Sequence, residues 1–419
     1  QKNEWFETKG HGVGFINDLL SFYNMDGATT QTVETEATSY TMLSQMFRLN
    51  YSYDSKYLFT FTVRRDGYSA FGANTEKYGV FPSVAFGWNI NKENFLKDVS
   101  AINYLKLRTS YGITGNYAVG VNQTITTAST VKFPFNGTAY IGVLSSNLGN
   151  ADLHWESTKG FNIGLDFAII DSRIKGTFEY YSTITEGILM RRNLPKITGY
   201  SFVWDNIGKM GNRGIEITLN TTNIKTSNFS WETNFVFSKN KNKIIDLYGD
   251  KKDDLGNRWF IGQPLYVIYD YEMIGVWQEG EDPTGWDPGA KPGDLKFKDQ
   301  PTIDSDGDGI LDKGDGKIDG NDRVILGSTL PKWTGGLTSV FTYKNLKLSV
   351  FIQTVQGSLK NNVDYSYADE MGRRNIPREI GYWTAENKRN DRPSLAYTNP
   401  RGYGYPMDNS FTRIKDITL

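Results

Sequence analysis

The chain has 419 residues, enough for a large core, and its acids and bases nearly cancel to a formal net charge of -1. This balance excludes an electrostatic case for a nucleic-acid partner. With no cysteines and only two histidines, disulfides and thiolate metal sites are excluded, and little remains for zinc or histidine acid–base chemistry. Aromatic residues make up 14% of the chain, while no apolar run approaches the ~20 residues of a membrane helix.

Strand-like alternation is the main pattern along the chain. Residues 1–43 are weakly patterned, and we expect a loop segment there, on the extracellular side and ahead of the strands. From Tyr57 to Arg64, apolar and mostly polar residues alternate with the period of a strand, and the short segment Asp54–Lys56 before them allows only an antiparallel hairpin. The same reading predicts eleven strands, at residues 44–53, 57–65, 80–90, 103–112, 155–170, 174–190, 213–224, 229–239, 333–343, 346–357 and 410–419.

The connections between these strands alternate strictly between short and long. The short connections are predicted at 54–56, 91–102, 171–173, 225–228 and 344–345. The long connections are predicted at 66–79, 113–154, 191–212, 240–332 and 358–409. Outer-membrane barrels have this asymmetry, with short periplasmic turns and long extracellular loops. The pattern therefore predicts an all-β fold, a transmembrane antiparallel β-barrel whose strands occupy 44–419 and whose longest extracellular loop is 240–332.

A soluble β-sandwich is the alternative, because it also alternates inward and outward residues. Several predicted strands are longer than the ~5–6 residues usual in soluble proteins. Carboxylates lie in mid-strand on the polar face, as a water-filled lumen permits, and aromatic residues gather near strand ends, as in the girdles at a membrane interface. The mid-strand carboxylates are Asp166, Glu179, Glu216 and Glu232. These features favour a barrel in a lipid bilayer.

The strongest chemical signal is an acidic stretch that begins at Asp304. Counted from Asp304, carboxylates occupy positions 1, 3, 5, 9 and 12 and glycine occupies position 6, which is the ligand spacing of an EF-hand calcium loop. We therefore predict a structural Ca²⁺ site, with Mg²⁺ as the rarer occupant; a solvated acidic loop without metal is the alternative. The predicted ligands are Asp304, Asp306, Asp308, Ile310 (through its carbonyl), Asp312 and Asp315. Asp315 replaces the usual longer Glu, which makes bidentate closure less assured.

Substrate contacts are expected among aromatic residues of the long loops, which can stack on sugar rings but can equally pack the loops together or meet a partner. The tryptophans predicted to contact substrate are Trp204, Trp259, Trp277, Trp286 and Trp383. No arrangement of nucleophile, base and acid is convincing: His154 lies near Asp152 and Glu156 but has no nucleophile beside it. We therefore do not expect an enzyme.

Several strings carry a family resemblance. They are RLNYSYDSKYLFTFTVRRDG, GVFPSVAFGW, LKLRTSYGITGN, NIGKMGNRGIEI, and GDLKFKD followed by DGKIDGNDRVILG. Taken together and in this order, the chain resembles the SusC-like (starch-utilisation-system type) TonB-dependent transporters of the Bacteroidetes outer membrane. The resemblance implies part of a 22-stranded barrel. It also implies an N-terminal plug, energy from TonB, a SusD-like lipoprotein on the outer face, and a glycan or peptide substrate.

The chain departs from that family pattern in what it lacks. No plug domain, TonB box or signal peptide is visible, and we expect an incomplete C-terminal part of the barrel, without the plug and the closing strands. The predicted function is TonB-dependent import of an oligosaccharide or oligopeptide across the outer membrane, together with a SusD-like surface lipoprotein. The alternatives are a calcium-stiffened cell-surface binding or adhesion β-protein and an extracellular glycan hydrolase.

Overall fold

The computed structural model describes residues 1–17, 19, 23–369, 374–375 and 377–419. Strands dominate it: β1 (Lys2–Phe15), β2 (Ala28–Tyr53), β3 (Tyr57–Tyr68), β4 (Tyr78–Asn89), β5 (Ile102–Asn116), β6 (Thr127–Phe135), β7 (Thr138–Asn147), β8 (Glu156–Ile169), β9 (Ile174–Glu186), β10 (Leu189–Asn193), β11 (Phe202–Asn206), β12 (Lys209–Lys225), β13 (Phe229–Asp246), β14 (Val267–Tyr271), β15 (Met273–Val276), β16 (Leu295–Phe297), β17 (Arg323–Ser328), β18 (Trp333–Tyr343), β19 (Leu346–Gln356), β20 (Leu359–Asn361), β21 (Pro406–Asp408) and β22 (Phe411–Thr418). The single α-helix of the described residues is α1 (Val363–Asp369). Short 3₁₀ turns lie at Met25–Gly27, Ile90–Lys92, Asn94–Leu96, Lys196–Thr198, Gly320–Asp322 and Arg378–Ile380. No helix of this described part is long and apolar enough to span a membrane.

Twelve strands form one sheet in the order β1-β2-β3-β4-β5-β8-β9-β12-β13-β18-β19-β22. Eleven of them coincide with the strands expected from alternation, so that prediction is confirmed. Most ends differ by a few residues, but β2 begins at Ala28 rather than at 44, and β13 ends at Asp246 rather than at 239. The short turns are also confirmed: Asp54 and Ser55 turn the chain between β2 and β3 with φ of 49° and 50°. Aspartate tolerates this left-handed conformation because its short side chain bonds to nearby backbone.

The prediction of a loop over residues 1–43 is wrong for secondary structure. β1 pairs with the first half of β2 from Lys2↔Thr41 to Phe15↔Ala28, which adds a twelfth strand to the sheet. Most side chains of this two-stranded ribbon are exposed. An apolar–polar alternation arises where one face of a strand is apolar, and a ribbon with water on both faces does not produce it.

In β2 and β3, one face of the sheet is apolar and the other is polar. On one face, apolar residues oppose each other in register, as in Leu49↔Phe61 and Tyr51↔Phe59. Leu49, Tyr51 and Phe59 are exposed, as side chains that meet lipid are. On the other face, Arg48 Nε donates to Thr62 Oγ1 at 3.1 Å. The alternation in the sequence thus separates a lipid-facing surface from a polar one.

Chain contacts divide the molecule into two compact units. The first comprises 1–166, 180–211 and 245–251, and the second comprises 167–179, 212–244 and 252–419. A buried cluster in the first unit contains Tyr68, Phe71, Val119, Leu153, Trp155 and Leu189. The second unit has the larger buried set, which we call the outer-loop cluster: Tyr271, Val276, Leu295, Phe297, Ile318, Trp383, Tyr397, Tyr403 and Tyr405.

The long connections contain structure of their own. Two-stranded sheets lie inside them as the pairs β6–β7, β10–β11, β14–β17, β15–β16 and β20–β21. The outer-loop cluster draws its side chains from the two longest connections, 247–332 and 357–410, which therefore fold together as one packed body.

Candidate functional site

The acidic loop that begins at Asp304 lies in connection 247–332, between β16 and β17. Carboxylate oxygens of Asp304, Asp306 and Asp308 come within 4.8 Å of one another. Each of these side chains also caps a turn of its own loop: Asp304, for example, accepts from Gly307 N at 2.7 Å and from Gly309 N at 2.8 Å. The local sequence therefore gathers three of the predicted ligands into one concave turn.

The later predicted ligands point elsewhere. Asp312 accepts from Ser305 N at 3.0 Å and from Ser305 Oγ at 2.7 Å, and so closes the base of the loop. Asp315 accepts from Lys317 N at 3.0 Å. Ile310 donates its N–H to Asp308, and its side chain is exposed. A metal at this loop has three gathered carboxylates and needs a rearrangement to engage Asp315.

Hydrogen bonds favour the ionised form of two loop carboxylates. The backbone N–H groups of Gly309 and Gly307 lower the pKa of Asp304, and the hydroxyl and N–H of Ser305 lower the pKa of Asp312. Gly307 and Gly309 both have positive φ, 80° and 87°, which a residue with a Cβ rarely adopts. The loop thus presents anionic oxygen, the ligand type that hard cations prefer.

A further acidic run, from Asp315 to Asp322, has a structural role. Asp319 and Asp322 form a reciprocal capping box on the turn Gly320–Asp322. Asp322 is 1% exposed, and it accepts from Gln300 N at 2.8 Å and from Asp319 N at 2.7 Å. Burial raises the pKa of Asp322. Among the described residues, then, this run contacts the segment before the first loop, through Gln300, and contributes no member to the gathered carboxylates.

The predicted substrate tryptophans differ in what their rings contact. Trp277 is 1% exposed, packs 5.5 Å from the Trp286 ring and lies under Lys296 Nζ. Trp383 is also buried, and its Nε1 donates to Gln278 Oε1 at 2.8 Å. Trp383 belongs to the outer-loop cluster, and Trp277 packs on Trp286, a ring that itself packs against that cluster.

Trp204, Trp259 and Trp286 are only partly buried. Trp204 packs against the buried cluster of the first unit, and the Arg191 guanidinium lies 5.2 Å from its ring. Substrate stacking at these positions stays a prediction.

A buried ion pair that no sequence pattern indicates lies in connection 357–410. Arg392 Nη2 donates to Asp369 Oδ1 at 2.8 Å, with side-chain exposures of 4% and 8%. Tyr405 donates its hydroxyl to the same carboxylate. The Arg392 guanidinium lies 4.2 Å from the Tyr365 ring and 5.0 Å from the Tyr405 ring. The partners are 23 residues apart without periodic spacing, so no local pattern links them.

Known proteins resemble the chain over nearly its whole length. The family model described as "TonB dependent receptor-like, beta-barrel" matches residues 3–398. TonB-dependent receptor P3 of Formosa agariphila is 34% identical over 421 residues, which cover 97% of this chain and 41% of that protein. TonB-dependent receptor SusC of Bacteroides thetaiotaomicron is 33% identical over 402 residues, covering 91% of this chain and 38% of that protein. The chain thus spans about two-fifths of these curated relatives.

Among solved structures, the RagAB peptide transporter matches with a TM-score of 0.81 at 24% identity, over 99% of this chain and 45% of that chain. At this identity the match concerns the fold, which is the SusC-like barrel that the sequence predicted. The family-model match, the relatives and the shared fold agree. The chain belongs to the TonB-dependent receptor-like β-barrel family of the outer membrane.

Proposed function

We propose that the chain is part of an active importer that takes an oligosaccharide or oligopeptide across the outer membrane with energy from TonB and a SusD-like lipoprotein on its outer face. The family match over residues 3–398 carries this proposal. The exposed apolar wall with a polar opposite face supports a membrane-spanning position. The packed body formed by connections 247–332 and 357–410 supports a role in substrate capture at the outer rim.

Uptake by whole cells tests this proposal. Cells that express the full-length protein should accumulate a labelled oligosaccharide or peptide mixture, and inactivation of TonB or a protonophore should abolish accumulation. The protein should require detergent for extraction and migrate differently on a gel with and without heating. Recovery in soluble form, or uptake that persists without TonB, would refute the importer. Co-purification of a lipoprotein tests the partner separately.

A calcium-stiffened surface adhesion protein is the alternative function. It shares the acidic loop but does not need the long lipid-facing wall, so the wall favours the importer. In the importer, Trp204, Trp259 and Trp286 keep partial ring exposure for substrate, whereas Trp277 and Trp383 act by packing.

The acidic loop serves this importer, in our proposal, as a structural Ca²⁺ site. The residues present fit the ion, because three carboxylates lie within 4.8 Å and glycines allow the tight turn. Asp304, Asp306 and Asp308 would hold the cation, with the carbonyl of Ile310 and the carboxylates of Asp312 and Asp315 as further ligands. A bound divalent cation would fix an exposed loop whose carboxylates otherwise repel each other.

Thermal stability with and without EGTA tests the calcium site. Wild type should melt at lower temperature in EGTA, and Asp306→Ala and Asp308→Ala should remove that difference. Glu279→Ala, at an exposed acid of the same connection, is the matched control and should retain it. Equal melting of wild type in calcium and EGTA would contradict the proposal. Asp315→Ala shows whether Asp315 is a ligand, since the substitution lowers calcium affinity only if Asp315 binds the ion.

A further inference from the structure

A cavity of 580 Å³ opens in the second unit, beside the outer-loop cluster. It lies between β15, α1 and the segment 379–407, so both long outer connections contribute to its wall. Its chemistry is mixed: thioether and aliphatic side chains on one part, guanidinium and carboxylate groups on the other. The residues that carry the argument are Met273, Ile380, Arg389, Asp391, Arg392 and Met407.

Arg392 is the buried polar group of this cavity. It is 3% exposed, and its two Nη groups donate to Asp369. Its Nε is buried without a hydrogen-bond acceptor among the residues that the structure describes. A buried N–H of a charged group left without a partner is costly, by roughly 1–3 kcal/mol or more. This N–H is closed to solvent, so Arg392 supports the cavity through its pair with Asp369 and offers no Nε donor to a ligand.

The tyrosine rings of the cavity are already covered. The Arg392 guanidinium lies over Tyr365 and Tyr405, and the Tyr403 ring lies 4.9 Å from that of Tyr405. Tyr403 and Tyr405 are buried, and the Arg392 guanidinium covers one face of Tyr365, so little open aromatic face is left for stacking on a sugar. The open surface consists instead of flexible Met273 and Met407, which adapt to varied apolar side chains.

The rim of the cavity offers hydrogen-bond donors and acceptors side by side. Arg389 donates to Asp391 through Nε at 2.8 Å and Nη2 at 2.6 Å, and the Asp391 side chain is 67% exposed. The Arg389–Asp391 pair can therefore meet both the N–H and the C=O of a polypeptide. Glu379 adds a second carboxylate to the same wall.

We propose that this cavity is a peptide-binding site, in which the Arg389–Asp391 pair hydrogen-bonds to the backbone of the ligand and an apolar side chain packs on Met273 and Met407. The proposal rests on the importer function in that it places the cavity on the extracellular side. The proposed substrate class of this site is peptides rather than glycans.

Retention of peptides by the purified full-length protein in detergent tests the site. The protein is mixed with a tryptic digest of casein, separated from free peptides by gel filtration, and the retained peptides are quantified by mass spectrometry. Maltohexaose is offered in a parallel sample. Wild type should retain peptides with apolar residues and no maltohexaose. Met407→Lys and Arg389→Ala should lower retention at least fivefold, since the first puts a charge on the apolar wall and the second removes the donor of the Arg389–Asp391 pair.

Leu395→Lys is the matched control, because Leu395 is 73% exposed on the same segment and does not line the cavity. It should retain peptides as wild type does. No retention by wild type, or equal retention by Met407→Lys and wild type, overturns the proposal, as does maltohexaose binding that Met407→Lys abolishes. Peptide retention without TonB-dependent uptake would instead refute the importer and leave the site standing.

Discussion

Loss of the Asp369 carboxylate should loosen the outer-loop cluster more than any surface change. Asp369→Ala leaves the Arg392 guanidinium buried without its counter-charge and takes the acceptor from the Tyr405 hydroxyl. Removal of one partner of a buried pair costs about 3–5 kcal/mol. At about 1.4 kcal/mol per factor of ten, that cost is a roughly hundred- to several-thousand-fold rise in local opening.

Hydrogen exchange measured by mass spectrometry reads this opening directly. Peptides from connections 247–332 and 357–410 should lose protection in Asp369→Ala, while peptides from the wall strand β19 should keep theirs. Asp364→Ala is the control, because its ion pair with Arg374 is exposed and worth little.

The double variant Asp369→Leu with Arg392→Met distinguishes a missing partner from a missing contact. Replacing both charges with apolar groups of similar size should recover most of the lost protection, since no unpaired buried charge remains. Two results would show that the buried pair does not hold this body together. One is unchanged hydrogen exchange in Asp369→Ala. The other is a double variant whose loss of protection equals the sum of the losses in Asp369→Leu alone and Arg392→Met alone.

Two further predictions concern a close contact and a titration. A Cβ at Gly72 would clash with the carbonyl oxygen of Ala151, so Gly72→Ala should destabilise the first unit by about 1–3 kcal/mol in thermal melts, whereas Gly120→Ala, with nothing within 4 Å, should be neutral. The pKa of Asp304 is lower in the folded state than its unfolded value of ~3.9, so the ionised carboxylate stabilises the fold above that pH. This stabilisation is lost as the pH falls through the folded-state pKa. Carboxyl ¹³C shifts in EGTA should therefore give a midpoint below ~3.9, and a midpoint above it would contradict the turn geometry.

The wall of the sheet was predictable because its physics is local. Lipid on one side and polar surroundings on the other impose a period of two on every strand, and the sequence carries that period from Tyr57 onward. Alternation did not predict the ribbon β1–β2, because both of its faces are exposed and rich in Thr and Glu. Its strands are held by backbone pairing, to which side-chain type contributes little.

The candidate site was predictable only where its ligands are close in sequence. Asp304, Asp306 and Asp308 are two residues apart, so their spacing and the glycine between them indicate the turn that the structure forms. Asp369 and Arg392 meet through tertiary packing, and tryptophan serves equally in a core or against a ligand. From the sequence alone, Trp277 could pack in a core or contact a ligand, and its burial favours packing.

The acidic loop and the cavity depend on the same packed body. Gln300, whose N–H binds Asp322 at 2.8 Å, follows β16 closely, and β16 places Leu295 and Phe297 in the outer-loop cluster. Met273, on the paired strand β15, lines the cavity and packs against that cluster. Cation binding and ligand binding thus share one folded support. A cation that stiffens the loop stabilises the strand pair on which the cavity is built, and the two sites need no direct contact for that effect.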